Sequence, residues 1–247
     1  MRGGSDVGCF PTGRHYPGIA HLLTVRIVGL AEEWDGETTL DDLPMVCIDT
    51  ETTGRDSALD RIVEIACVVW QRGEIVASHN WLCNPGMPIP KEAFDVHGIS
   101  DDDVKDKPRF EDIAQDVLAA LALGVPVAYN AEFDRAFVNA ELGRAGFPPG
   151  TLPPACRKGV DWIDPLVWAR ELHKQEKGKS LGEVCSRLGI EINQAHRASD
   201  DAEAALRVLA AFAPDPRVPK TYAAFVQEQR RVGRLQDEER ARWRGRS

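Results

Sequence analysis

No two cysteines in this chain have the Cys-x-x-Cys spacing of a zinc ribbon, and no run of roughly 18 apolar residues offers a membrane span. A positive charge balance is also missing. Thirty Lys and Arg stand against 39 Asp and Glu, for a net charge of −9, which excludes a protein that coats duplex nucleic acid with its whole surface. Any contact with nucleic acid must be local. The best leader-like stretch, His21 to Leu30, is interrupted by Thr24 and Arg26, so no cleaved signal peptide is expected and a reduced, cytoplasmic compartment is. The six cysteines stand at 9, 47, 67, 83, 156 and 185. Cys47, Cys67 and Cys185 lie in apolar segments and read as small buried residues, and the loose Cys9, His15, His21 set matches no ligand spacing.

What is present is ordinary globular material: 247 residues, 43% hydrophobic and 28% charged. Residues 1–43 read as a partly disordered N-terminal extension, with Ile19 to Leu30 ordered against the domain. Residues 44–213 read as the domain proper. The three prolines between 214 and 219 break the pattern, and 214–247 reads as a basic tail, helical and then frayed.

Within the domain, Met45 to Asp49, Ile62 to Trp70 and Ile75 to Leu82 read as strands. Their connections are too short for a crossover, so they form an antiparallel meander. Lys91 to Val96 is a short helix or turn, and Ser100 caps a helical turn over Asp101 to Val104. Phe110, Ile113, Val117, Leu118 and Leu121 make one helical stripe. Val125 to Tyr129 is a fourth strand, and Asn130 a natural cap for a helix over Ala131 to Arg144. Val160 to Ile163 is a fifth strand, followed by a helix from Pro165 to His173 with Asp164 as its cap. Helices over Ser180 to Leu188 and Ala198 to Phe212 complete the domain. The expected fold is α/β: a mixed five-stranded sheet flanked by helices.

Three stretches carry acids that can meet. In Val46-Cys47-Ile48-Asp49-Thr50-Glu51 the two acids sit one residue apart on a strand and so share a face. Asp134 lies in the first turn of a helix that follows a strand, and Asp200 and Asp201 open the last helix behind His196. Taken singly, each has a structural reading: a solvated strand end, or a first-turn acid that complements the helix dipole. Strand ends and adjoining helix starts are where open α/β sheets place their sites. Asp49, Glu51, Asp134 and Asp201 are therefore candidates to converge. Four carboxylates without a thiolate suit Mg²⁺ or Mn²⁺, and two divalent ions would neutralise them. Two ions about 4 Å apart serve in-line phosphoryl displacement, and an imidazole beside them can accept a proton from water.

Asp49-Thr50-Glu51-Thr52-Thr53-Gly54, Asn130-Ala131-Glu132-Phe133-Asp134 and His196-Arg197-Ala198-Ser199-Asp200-Asp201 resemble, in order, the three motifs of the DEDDh 3′–5′ exonucleases, notably the exonuclease of the bacterial DNA polymerase III epsilon subunit. The resemblance spans about residues 44–212. It implies a ribonuclease H-like fold, two Mg²⁺ or Mn²⁺ ions, and release of nucleoside 5′-monophosphates from a 3′ end. Carried over by position, it makes Asp49, Glu51, Asp134 and Asp201 metal ligands and His196 the general base. The family's His stands five residues before the last Asp, which selects Asp201 over Asp200. A sister subgroup has Tyr four residues before it, where this chain has Arg197. Glu92-Ala93-Phe94-Asp95-Val96-His97-Gly98-Ile99 resembles the segment that approaches the terminal nucleotide, so Glu92 and His97 are implied substrate contacts, with Thr53 and Phe133. Family members often carry His where Tyr129 stands.

Arg55, Arg61, Arg135 and Arg197 lie near the motifs and are candidates for phosphate contact. The partners expected are 3′ ends of single-stranded DNA or RNA, with DNA favoured, and no membrane. Two alternative readings are a proofreading or repair subunit docked to a DNA polymerase catalytic subunit, and an RNA-trimming enzyme on the same scaffold.

Overall fold

The computed structural model describes residues 28–147 and 153–244. The Cys9, His15, His21 set and residues 19–27 of the apolar patch lie outside the described residues. One sheet organises the chain: β1 (Met45–Thr52), β2 (Ile62–Gln71), β3 (Glu74–Leu82) and β4 (Val125–Val127), in the order β3-β2-β1-β4. β1, β2 and β3 pair antiparallel as the meander requires, and β4 adds parallel to β1 after a helical crossover.

The fifth strand is not formed. Val160 and Ile163 make isolated bridges to Gly29 and Val127. β4 is only three residues long and offers no longer ladder. The segment is also drawn off at both ends: Trp162 Nε1 bonds back to Ala155 O at 2.8 Å, and Asp164 leaves at once to cap a helix.

The helices are α1 (Lys91–His97), α2 (Asp101–Val104), α3 (Phe110–Leu121), α4 (Ala131–Arg144), α5 (Pro165–Leu172), α6 (Leu181–Leu188), α7 (Ala198–Phe212) and α8 (Tyr222–Arg244). Their local chemistry follows the sequence. Ser100 and Ser180 each close a capping box, with Asp103 and Glu183, and Gly189 ends α6 in the left-handed region. The α3 stripe from Phe110 to Leu121 is buried throughout.

Alternation along β1 sends Met45 and Cys47 to one face, against α5, α6, α7 and α8, and Val46 and Ile48 to the other, against α3 and α4. The flanks of 44–213 join the first of these cores. Leu40, Leu43, Tyr222, Phe225 and Val226 are fully or almost fully buried in it. The Tyr222 hydroxyl oxygen accepts from Ala31 N at 2.9 Å, and Leu40 N donates to Lys220 O at 2.9 Å. Cys47, Cys67, Cys83, Cys156 and Cys185 are free and buried. Among the described residues no helix is long and apolar enough to cross a membrane.

Candidate active site

Asp49 and Glu51 occupy the carboxyl end of β1, and their side chains point to the α7 face. Glu51, His196 and Asp201 offer ligand atoms within 4.8 Å of one another. Asp134 comes from the other face of the sheet. The β1–β4 ladder ends at Cys47–Val127, so the edge of β1 beyond Cys47 is unpaired on that side. The first turn of α4 fills the gap, and Asp134 accepts a 2.8 Å hydrogen bond from Thr50 Oγ1.

Asp49 and Glu51 feel the neighbouring acids electrically. Desolvation raises Asp49 well above the usual carboxylate range, reinforced by the charges of Asp134, Asp201 and Glu51. Glu51 is pushed up to about 8 by desolvation and by Asp201, Glu64 and Asp134, with partial relief from Arg197. Asp134 reaches about 7 through burial, opposed by its bond from Thr50. Asp201 is raised by burial, while the His196 backbone N–H, bonded to its Oδ2 at 3.1 Å, pulls the other way. Hard oxygen donors crowded to this degree, with no thiolate among them, fit a divalent cation of the Mg²⁺ or Mn²⁺ type, which favours their ionised forms. Asp200 does not belong to the Glu51, His196, Asp201 group. Successive residues on a helix differ by about 100° in direction.

A groove of about 500 Å³ opens beside Glu51. Thr53, Glu92, His97 and Phe133 all line it, with Arg55, Pro90 and Val96. His97 is buried and its Nδ1 accepts from Ile99 N at 3.0 Å, which places the ring proton on Nε2. That Nε2 has no hydrogen-bond partner. Burial lowers the His97 pKa, and the nearby His196 adds to this, against the pull of the Thr52 backbone and Glu64. Phe133 is partly buried and rests on Phe137, with ring centroids 4.8 Å apart. Thr53 has its hydroxyl committed: it donates to Asp60 at 3.2 Å and accepts from Arg61 N at 3.0 Å. It therefore shapes the loop after β1. The same loop explains Gly54, where a Cβ would stand 2.3 Å from the Asp60 carboxylate.

Three of the four arginines considered for phosphate contact are engaged elsewhere. Arg61 makes a two-pronged pair with buried Glu141, at 2.6 and 2.9 Å. Arg135 donates to the carbonyls of Arg157 and Lys158. Arg197 pairs with Glu64 at 2.6 and 3.2 Å. Arg55 remains exposed on the groove wall.

Two further residues support the site: Asp164, read from the sequence only as the cap of α5, and Glu64, which sequence reasoning passed over. Asn130 makes no side-chain cap on α4, because it is itself left-handed, with φ 70°. The cap comes from Asp164, whose carboxylate accepts from Asn130 N at 3.0 Å and Ala131 N at 3.2 Å while also capping α5 through Leu166 N at 2.8 Å. Likewise α7 has no cap of its own. Glu64, fully buried on β2, accepts from Ala198 N at 3.2 Å. The signal for Glu64 was present: one carboxylate in an otherwise apolar strand, Ile62-Val63-Glu64-Ile65.

The mixed sheet and the helices that flank it form an exonuclease domain. The chain belongs to the exonuclease family, whose RNase T-type domain model matches residues 46–209, and its likeness to the DEDDh 3′–5′ exonucleases holds. It is 32% identical over 181 residues to the PolC-type DNA polymerase III of Streptococcus suis, a match covering 73% of this chain and 12% of that protein. Identity to the PolC-type enzyme of Thermotoga maritima is 30% over 199 residues, covering 79% of this chain and 14% of that one. The chain thus spans only about an eighth of the length of these relatives. In fold it is similar to Escherichia coli Exonuclease I crystallised with a dT13 oligonucleotide, with a TM-score of 0.61 at 18% identity, covering 70% of this chain and 41% of that one.

Proposed function

We propose that this chain hydrolyses the last phosphodiester bond at 3′ ends of single-stranded or frayed DNA, releasing nucleoside 5′-monophosphates. The observation that carries the reading is the meeting of Glu51, His196 and Asp201 beside a groove that Thr53, Glu92, His97 and Phe133 line. Asp49, Glu51, Asp134 and Asp201 would hold two Mg²⁺ or Mn²⁺ ions, which when bound supply Lewis-acid stabilisation of charge on the phosphate oxygens. The chain's own groups do the rest. His196, exposed at the mouth of the site, takes the proton of the attacking water as the bond to the leaving O3′ breaks. The Phe133 ring offers a face to the terminal base. Arg55, exposed on the groove wall, is a donor available to phosphate oxygens. A grip on a few nucleotides suits a chain of net charge −9.

The test uses the purified chain with 5′-labelled DNA and RNA strands of matched sequence, with Mg²⁺ and with Mn²⁺. A ladder shortening from the 3′ end of DNA, and lost in Asp134→Ala, is the expected result. No shortening of either strand with either metal overturns the reading, and a preference for RNA moves the chain to RNA trimming. The relatives are DNA polymerases by name, which favours a second reading: a proofreading unit working in the cytoplasm beside a polymerase catalytic subunit. Co-purification with such a subunit tests it.

A further inference from the structure

We propose that Arg197 is a positioning residue. Clamped to Glu64, it fixes His196 and Asp201 against the acids of β1 and does not serve as a phosphate contact. The inference rests on the nuclease reading given above and adds to it a residue that works through others.

The geometry begins in the sheet. Glu51 on β1 stands directly across from Glu64 on β2, so two carboxylates share one face at neighbouring positions, an arrangement that repels. Arg197 answers one of them with two parallel hydrogen bonds, Nη2 to Oε1 at 2.6 Å and Nε to Oε2 at 3.2 Å. Asn80 Nδ2 adds a third bond to Glu64 Oε1 at 2.8 Å, and Ala198 N a fourth to Oε2 at 3.2 Å. Glu64 is fully buried and the Arg197 side chain is 34% exposed. The acid is therefore a fixed anchor and the arginine the arm that reaches it.

The arm holds the segment that leads into α7. His196 sits in the left-handed region with φ 63°, a conformation that a non-glycine residue keeps only when its neighbours impose it. Its N–H closes back on the Asp201 carboxylate, which ties His196 and Asp201 into one unit. That unit has no side-chain cap of its own. Its tie to the sheet at this point is the Arg197–Ala198 grip on Glu64. Releasing the grip shifts the base and one acid together relative to Asp49 and Glu51. A phosphate-binding arginine would behave otherwise, since its loss weakens substrate binding and flattens the salt dependence.

Arg197→Ala and Arg197→Lys are compared with the wild-type chain by Mn²⁺ binding, read by electron paramagnetic resonance, by steady-state kinetics on a labelled DNA strand, and by thermal melts. In Arg197→Ala, Mn²⁺ affinity and kcat are expected to fall about 10- to 100-fold, the loss typical when the partner behind a metal-site residue is removed, with KM and its salt dependence unchanged. Arg197→Lys keeps the charge but not the fork, and is expected to fall between the two. Mn²⁺ binding equal to wild type in Arg197→Ala overturns the inference, as does a rise in KM with kcat retained. If Arg197→Ala melts below the assay temperature, Arg197→Lys carries the test, and Mn²⁺ affinity equal to wild type there is the overturning result. A wild-type chain that binds Mn²⁺ and degrades DNA, beside an Arg197→Ala chain that matches it, removes this inference alone. A wild-type chain that does neither removes the nuclease reading with it.

Discussion

The two faces of the sheet each deliver one helix-borne acid to the tip of β1, and they hold it differently. On one face, α4 carries Asp134 and takes its cap from Asp164, which spends its carboxylate on three backbone N–H groups, two at the start of α4 and one in α5. On the other, α7 carries Asp201 and takes its cap from Glu64, which also grips an arginine of the same motif. The Asp164 cap joins two helices to each other, so its loss is felt first by the fold. The Glu64 cap joins a helix to the arginine that follows His196, so its loss should be felt first around His196 and Asp201. A supporting carboxylate thus acts on stability or on chemistry according to what else it holds.

The largest expected effect tests whether the α7 face is bulk support. Phe225 is fully buried and packs on Trp168 with ring centroids 4.9 Å apart. Phe225→Ala should cost about 3–5 kcal/mol in denaturant unfolding while the folded fraction keeps its Mn²⁺ affinity. Equal loss of metal binding would show that α8 reaches the site. Removing an acid should give the opposite pattern. Asp134→Asn should lower kcat by on the order of 10²- to 10³-fold and melt no lower than wild type without metal. It deletes a buried, disfavoured charge and leaves Thr50 a carbonyl acceptor.

Next comes the cation itself. Glu51 and Asp134, at about 8 and about 7, keep their protons to higher pH in the fold than in the unfolded chain. The metal-free fold therefore binds more protons from roughly pH 4, where unfolded carboxyls titrate, up to about 8, and loses stability as pH rises through that window. Mg²⁺ or Mn²⁺ at 100 times its Kd should add about 2.7 kcal/mol. At one fixed ion concentration the rise in melting temperature should be larger at pH 8 than at pH 5.5, where protons compete. An equal rise at both values would place the binding elsewhere. Asp164→Ala should have the smallest effect, about 1–2 kcal/mol, the loss typical of a helix-capping side chain. It should lower the melting temperature more than the Mn²⁺ affinity, the reverse of the order expected for Arg197→Ala.

Much of this was legible in the chain itself. The limits of α4 and α7 agree with those expected, because apolar spacing and first-turn acids are local signals. The acids of the three motifs could be placed at strand tips and helix starts for the same reason. What could not be read was pairing across the fold. The acid that caps α4 stands 33 residues beyond Ala131, and those that hold Arg61 and Arg197 lie 80 and 133 positions away. An arginine beside a motif looks free until its partner is placed. The fifth strand failed on the same ground: Val160 to Ile163 has β-forming residues, but a strand needs a neighbour of its own length, and β4 is too short to be one.

That shortness has a further consequence. The meeting of acids from opposite faces depends on where a ladder of backbone bonds stops and on how many residues pass before a helix turns its first coil. From Val127, the last residue of β4, to Asp134 is seven residues. Adding one residue between Ala131 and Asp134 would swing that carboxylate about 100° around the helix axis. Extending β4 by two residues would close the edge through which it enters. Either change leaves every acid and the histidine in the chain and still parts Asp134 from β1, so the proposed site is encoded in chain length as much as in side chains.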